Sequence, residues 1–251
     1  MKNKIRKWGN VLYPLLSLGC IIGLWAIVSA VVGIELIIPS IPTTFQKLGG
    51  ILSSEKFYVA IGNTLWRSLL SFGIGAVAAM LLSLLSIIDQ IKKLLSPIVK
   101  ITRSIPTMSV ILLAIIWLKP EISPVFVAFL INFPIMYSGF SSAIESVDKE
   151  IIEMSKIYNV SVKDRIFLFY LPSVAPASFD CMQSSLSLTV KIVISAEVLA
   201  QTRNSLGVLM QLSRAYLETA ELIAYTITAI VLSYFLELIV YGIKKILVRW
   251  K

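Results

Sequence analysis

Residues 153–172 read EMSKIYNVSVKDRIFLFYLP, a charged segment lodged between two long apolar runs. From Ser142 to Tyr158 the charges alternate with Ile144, Val147, Ile151, Ile152, Met154 and Ile157. That spacing is one face of a helix continuing the apolar run before it. Asn159 interrupts the pattern, and Asn is second only to Gly in tolerating the left-handed conformation that ends a helix. Ser161 followed by Asp164 is a capping-box-like start for a second helix, predicted to run to about Leu171. Pro172 and Pro176 are expected to loosen the chain beyond it. The cassette therefore reads as a helix, a left-handed turn and a short second helix.

The rest of the chain explains where such a cassette can sit. Of 251 residues, 57% are hydrophobic and 15% charged, whereas a soluble domain carries about 25% charged residues. The apolar residues fall into stretches of about 18–25, each long enough at about 1.5 Å per residue to cross a hydrocarbon core of about 30 Å. Six spans are expected, at about 11–34, 68–88, 97–118, 122–143, 183–200 and 221–243. The fold class is all-α, a polytopic membrane protein of six transmembrane helices.

The net charge of +9 is explained by topology and gives no reason to invoke nucleic acid. Lys2, Lys4, Arg6 and Lys7, then Lys92 and Lys93, then Lys149, Lys156, Lys163 and Arg165, then Lys244, Lys245, Arg249 and Lys251 form four clusters separated by pairs of spans. The positive-inside rule puts all four, and both termini, in the cytoplasm. Lys47, Lys56, Arg67, Lys119, Arg203 and Arg214 fall on the external side. The first apolar run is too long for a signal peptide and has no small-residue cleavage site, so it is read as a retained span. The two cysteines, Cys20 and Cys181, are read as small core residues.

Polar and helix-breaking residues inside the spans mark where helices deform or meet. The external PSIPTTF at 39–45 precedes a short helix over 44–52, with Thr43 or Thr44 as its cap. Gly73, Gly75, Ala76 and Ala79 have the small-residue spacing that lets helices approach closely in lipid. Pro106 is expected to kink or restart span three, and Pro134, beside Asn132, to break span four. Lys191 and Glu197 are ionisable groups in span five. Six residues apart, they lie about 9 Å along the axis and about 240° around it, so each needs its own partner. For Lys191, snorkelling to the cytoplasm and lining the path of an anionic solute are both open.

The cassette alone admits two readings, an amphipathic hairpin resting on lipid headgroups or a docking element for a protein. Glu145, Asp148, Glu150, Glu153 and Asp164 suit an anionic leaflet poorly, which favours the protein partner. At this point a resemblance enters. Glu153-Met154-Ser155, three residues, Asn159, nine residues, then Phe169-x-Leu171-Pro172 resembles the Glu-Ala-Ala…Gly…Ile-x-Leu-Pro loop of binding-protein-dependent ABC importer permeases, with every interval kept. Met154-Ser155 stands for Ala-Ala, Asn159 for Gly and Phe169 for Ile. Further blocks at 39–45, 63–80, 103–118 and 195–210 are similar in kind and order to the nitrate, sulfonate and taurine branch.

The resemblance implies that Glu153, Met154, Ser155, Asn159, Ser161, Asp164, Arg165, Leu171 and Pro172 couple the chain to an ATPase. It implies ABC ATPase subunits, an extracytoplasmic solute-binding protein and a second permease copy, a homodimer, as partners in the bacterial inner membrane. Glu197 matches a Glu common in the family and is read as structural or gating near the external end; with Lys191 and Asn132 it is assigned to the translocation pathway. The implied organisation is a tail, first span and external loop over 1–57 and a permease domain over 58–251, the coupling loop occupying 144–176. The chain has no G-x-x-x-x-G-K-[ST] phosphate loop, so ATP and Mg belong on a partner and no cofactor is expected here. With no histidine, a membrane-embedded enzyme is the weaker reading; a non-transporting scaffold for an ATPase is the alternative. Lys191 points to a small anionic solute.

Overall fold

Every apolar run expected from the sequence forms a helix, but the helices are longer and one is more sharply broken than hydropathy suggests. The computed structural model describes residues 2–248; Arg249 and Lys251 lie outside the described residues. In order, the helices are α1 (Lys2–Val32), α2 (Ile41–Leu52), α3 (Glu55–Leu85), α4 (Asp89–Ser104), α5 (Thr107–Trp117), α6 (Ser123–Glu145), α7 (Lys149–Ile157), α8 (Val162–Arg165), α9 (Leu171–Ala200), α10 (Leu206–Ala215) and α11 (Thr219–Leu247). Among the described residues there is no strand. Leu12–Val32, Glu55–Leu85, Ser123–Glu145, Lys163–Ala200 and Thr219–Leu247 are each long and apolar enough to cross a membrane.

The run expected as span three, at 97–118, is instead part of a bent pair of helices. α4 and α5 meet at 93°, because Ile105 precedes a proline and is forced into the extended region (φ −71°, ψ 127°). α5 has 11 residues, about 16 Å of helix and roughly half a hydrocarbon core. α4 carries Asp89, Lys92, Lys93, Lys100 and Arg103 on one side and exposed Leu94, Ile98 and Ile101 on the other, the pattern of a helix lying in a membrane interface. Residues 97–104, expected inside span three, thus belong to a different helix. Pro134 does the opposite: it is buried and α6 runs through it without a break.

The bundle is organised around α6, which packs against both α3 and α9, while α11 packs against α9. The buried small face of α3, Gly75, Ala76 and Ala79, makes this close approach feasible. A Cβ on Gly75 would come within 2.8 Å of Met136 Cε on α6. One apolar cluster joins Phe72 and Ala79 of α3, Met136 and Phe140 of α6, Leu186 and Val190 of α9, and Leu236 of α11. A second seats α5 through Ile111 and Ala114 against Val127 and Val193. The span within α1 buries none of its residues; its tethers are Trp25 Nε1 donating to the Pro39 carbonyl (3.1 Å) and Ser29 Oγ to that of Ile38 (3.3 Å). Cys20 is accordingly exposed rather than in a core, and Cys181 is only half-buried, its Sγ against Gly139.

Three local readings are corrected. The cap of α2 is Ser40, whose hydroxyl accepts from the Thr43 amide; Pro42 near the helix start places the cap ahead of it. Arg67 belongs to α3, which begins at Glu55, and not to an external loop. The chain does not loosen at Pro172 or Pro176. The Pro172 ring would clash with a carbonyl four residues back, and the preceding turn, Ile166–Tyr170, widens to a π turn closed by the Leu171 amide on the Ile166 carbonyl. α9 then continues through Pro176 to Ala200.

Candidate functional site

The hairpin at one end of the bundle is built by capping chemistry. Asp148 Oδ1 accepts from the Glu150 amide (2.9 Å), starting α7. Asn159 has φ 55°, and the Val160 amide reaches the Ser155 carbonyl at 3.0 Å, the bond across a left-handed residue that ends a helix in a Schellman motif. Ser161 Oγ accepts from the Asp164 amide (3.1 Å) and donates to the Asp164 carboxylate (2.7 Å), closing the second cap. Arg165 donates to the Val160 carbonyl at 3.0 Å, tying α8 back over the turn.

The hairpin stands on an apolar foot made by Ala143, Val147, Ile152 and Val174, with Phe169 and Tyr170 packed against it. Ser155 belongs to this inner side: it is buried, and its hydroxyl donates to the Ile152 carbonyl at 2.6 Å. Leu171 and Pro172 are half-buried in the junction with α9. These three therefore support the hairpin from within. The outward face presents Glu153 and Met154 together with Ile157, Tyr158, Phe167 and Leu168, all exposed, Tyr158 at 76%. Tyr158, Phe167 and Leu168 were missed in the sequence, and Ile157 was read onto the same apolar face as Ile152, whereas the structure buries Ile152 and turns Ile151, Met154 and Ile157 outward. Lys92 on α4 pairs with Glu145 at the end of α6 (2.8 Å), both side chains about half-exposed.

At the far end a buried carboxylate joins three helices. Glu197 on α9 is 0% exposed. Thr64 of α3 donates to it at 2.8 Å, Arg67 at 2.9 Å and the Gly207 amide of α10 at 3.3 Å. Thr64 Oγ1 also accepts from the Leu206 amide (3.0 Å). The carboxylate thus faces the N-terminus of α10, where unpaired amides and the helix dipole favour a negative charge. α10 is a short helix between spans five and six that the sequence reading did not anticipate. Its cap, Ser205, accepts from the Val208 amide at 3.1 Å. The turn before it uses left-handed Gln201 and Asn204, and Asn63 clasps the Asn204 carbonyl at 2.9 Å.

The fit at this node leaves no room. A Cβ on Gly207 would lie 2.5 Å from Glu197 Cβ, 2.7 Å from the Ile194 carbonyl oxygen and 2.8 Å from the Val198 nitrogen. Two of those atoms are backbone, which cannot yield without moving α9. Gly207→Ala is expected to lower stability by about 1–3 kcal/mol, read as a reduced unfolding midpoint of the detergent-solubilised protein, whereas Gly73→Ala, with nothing within 4 Å, leaves it unchanged.

Asn132 is also enclosed, 1% exposed, and its Nδ2 donates to the Ser185 carbonyl at 2.8 Å and to Thr189 Oγ1. Glu197 and Asn132 are therefore ties between helices of one chain, and neither lines an open surface in this conformation. Lys191 is different. It is exposed on α9 in a stripe with Asp180, Ser184 and Ser195, at helical spacing, with half-exposed Ser187 between. It opens on a groove of about 420 Å³ between α9 and α11, which also contains Glu237, Tyr234, Ser233 and Thr226. Glu237 is a second ionisable group inside a span, and the sequence reading passed over it.

Membrane-length helices with lipid-compatible exteriors, a groove between two of them that contains Lys191 and Glu237, and a capped hairpin at one end suit an integral-membrane subunit of a transporter. Comparisons with known proteins make this specific. Residues 71–251 match the family described as "Binding-protein-dependent transport system inner membrane component", and the chain belongs to that family. It is similar to Escherichia coli K12 SsuC, named for aliphatic sulfonates transport, with 24% identity over 100% of this chain and 96% of the relative. It is also similar to RibX of Chloroflexus aurantiacus, the permease protein of a riboflavin transport system, with 26% identity over 65% of this chain and 61% of that one. Among solved structures it shares its fold with a bacterial ABC transporter involved in alginate import, at a TM-score of 0.65, 18% identity and 98% coverage of both chains. The protein is an inner-membrane ABC importer permease subunit, non-catalytic, with the ATPase on a separate chain.

Proposed function

We propose that this subunit passes a small solute across the inner membrane along the polar face of α9, with the α7–α8 hairpin as its connection to the ATPase. The observation that carries the coupling role is the hairpin's outward face. Met154, Ile157, Tyr158, Phe167 and Leu168 are exposed beside Glu150, Glu153 and Asp164. Large apolar side chains ringed by charge mark a protein interface, and acidic residues disfavour an anionic lipid surface. The apolar foot joins the hairpin to Ala143 of α6 and Val174 of α9, which gives a pull on the hairpin a packed route into the bundle.

On this reading the complex contains two ATPase subunits, a second permease copy and an external binding protein, the last being the partner for which the family is described. The hairpin end is cytoplasmic, which agrees with the placement of Lys92, Lys244 and Lys245 at that end. SsuC and RibX are named for different solutes, and it is Lys191 in the groove that favours one bearing an anionic group. The test is reconstitution with the neighbouring ATPase and binding protein in liposomes. ATP hydrolysis is expected to rise with solute-loaded binding protein and to be accompanied by uptake. Association with the ATPase without any solute dependence would instead establish the scaffold.

A further inference from the structure

α4 divides its circumference three ways. At about 100° per residue, Leu95 and Val99 turn to one side, where Val99 is buried and Leu95 packs against the main apolar cluster. Leu94, Ile98 and Ile101 are exposed within an arc of about 60°. Lys93, Ser96, Lys100 and Arg103 occupy an arc of about 80°, centred about 150° away from theirs. The helix also stays near the hairpin end of the bundle. Through Lys92 it reaches Glu145, the last residue of α6, and through Arg103 it reaches Ser138 Oγ at 3.3 Å. Those partners are seven residues apart, so eleven residues of α4 span only about 10 Å of α6. That is the depth at which an amphipathic helix seats its apolar face below the lipid headgroups.

The basic face holds a recess of about 440 Å³ lined by Lys92, Lys93, Ser96 and Lys100, with Asp89 and Pro97 completing it. Lys92 is held by Glu145. Among the described residues neither Lys93 nor Lys100 is in an ion pair, and both are exposed. Asp89 opposes Lys93 at the rim, and the balance stays positive. We infer that this recess binds the phosphate of an anionic phospholipid, Lys93 and Lys100 supplying the cations, while Leu94, Ile98 and Ile101 lie among the acyl chains. One helix thus offers both halves of an amphiphile's site. A soluble anion would use the lysines and gain nothing from the apolar face. A zwitterionic headgroup brings an ammonium that the lysines repel. The inference needs only the membrane fold, so it stands or falls apart from the solute pathway.

The test places the purified permease, alone and with its ATPase, in phosphatidylcholine nanodiscs doped with one photoactivatable lipid, either phosphatidylglycerol or phosphatidylcholine. Adducts are mapped by peptide mass spectrometry. A basic residue at an anionic surface is worth about fivefold in binding. With two lysines against Asp89, residues 89–104 are expected to take up the phosphatidylglycerol probe about tenfold over the other, whereas Leu12–Val32, which buries none of its residues, takes up both alike. Lys93→Gln with Lys100→Gln is expected to bring the preference close to one at an unchanged unfolding midpoint. Lys93→Arg with Lys100→Arg should keep it, as should inorganic phosphate at millimolar concentration and matched ionic strength. Equal labelling by the two probes, a preference that survives the Gln pair, or its loss in the Arg pair overturns the inference. So does displacement by inorganic phosphate, which would make the recess a site for a soluble anion. Labelling of the segment in the free permease but not in the complex also overturns it, because the basic face would then be a contact with the ATPase.

Discussion

Glu197→Ala is expected to lower the stability of the protein by about 3–5 kcal/mol, the cost of removing one partner of a buried charge pair. The carboxylate is fully enclosed and Arg67 is 12% exposed, so solvent does little to soften the loss. Its removal strands the Arg67 guanidinium, the Thr64 hydroxyl and the Gly207 amide together. The effect should be local before it is global, since α10 is fastened to α3 and α9 largely here. Limited proteolysis is expected to cut the variant between residues 201 and 205 under conditions where the wild type resists, alongside a lowered unfolding midpoint. Glu197→Gln retains an acceptor for Thr64 and Gly207 and should fall between the two. Pairing Glu197→Leu with Arg67→Met should recover part of the loss, because a matched apolar pair carries no desolvation cost. An unchanged midpoint and cleavage pattern in Glu197→Ala would show that the node does not hold the far end together.

That node also shows what a sequence does and does not disclose. Hydropathy alone recovered five spans and their order, because a run of about 20 apolar residues has few alternatives to a membrane helix, but it merged the bent pair α4 and α5 into one run at 97–118. The hairpin was legible too, since its bends depend on short-range chemistry: Asn159 for the left-handed turn, Ser161 with Asp164 for the cap. Arg67 and Glu197 lie 130 residues apart. A hydropathy window reads Arg67 only as a penalty, which pushed the start of span two to residue 68 when α3 begins at Glu55. Glu237 was overlooked for the same reason, its neighbours being apolar enough to carry it. Prolines were the least readable residues. Pro106 marks a 93° bend, Pro134 lies inside an unbroken helix and Pro172 follows a widened turn, because the outcome depends on whether neighbouring helices clamp the segment or an amphipathic stretch such as α4 prefers the interface.

Exposure of the hairpin's outer face sets the second large expectation. Glu153→Lys should cut uptake by more than about tenfold and release the ATPase on purification, as misplacing one charge at a complementary interface does. The unfolding midpoint should hold, because Glu153 is exposed and is in no ion pair among the described residues. Two further variants separate charge from shape. Asn159→Gly keeps the left-handed turn at φ 55° and should transport normally. Asn159→Val sets a β-branched residue in a conformation that costs about 1–2 kcal/mol, so the turn should relax and α8 swing away from α7. ATPase association should then weaken although every outward side chain is unchanged. Phe167→Ala and Leu168→Ala would remove the apolar part of the same surface without touching the foot made by Ala143, Val147, Ile152 and Val174. Normal uptake by Glu153→Lys, together with unaltered ATPase recovery from Asn159→Val, would mean that the hairpin rests on lipid and that the force for transport enters the bundle elsewhere.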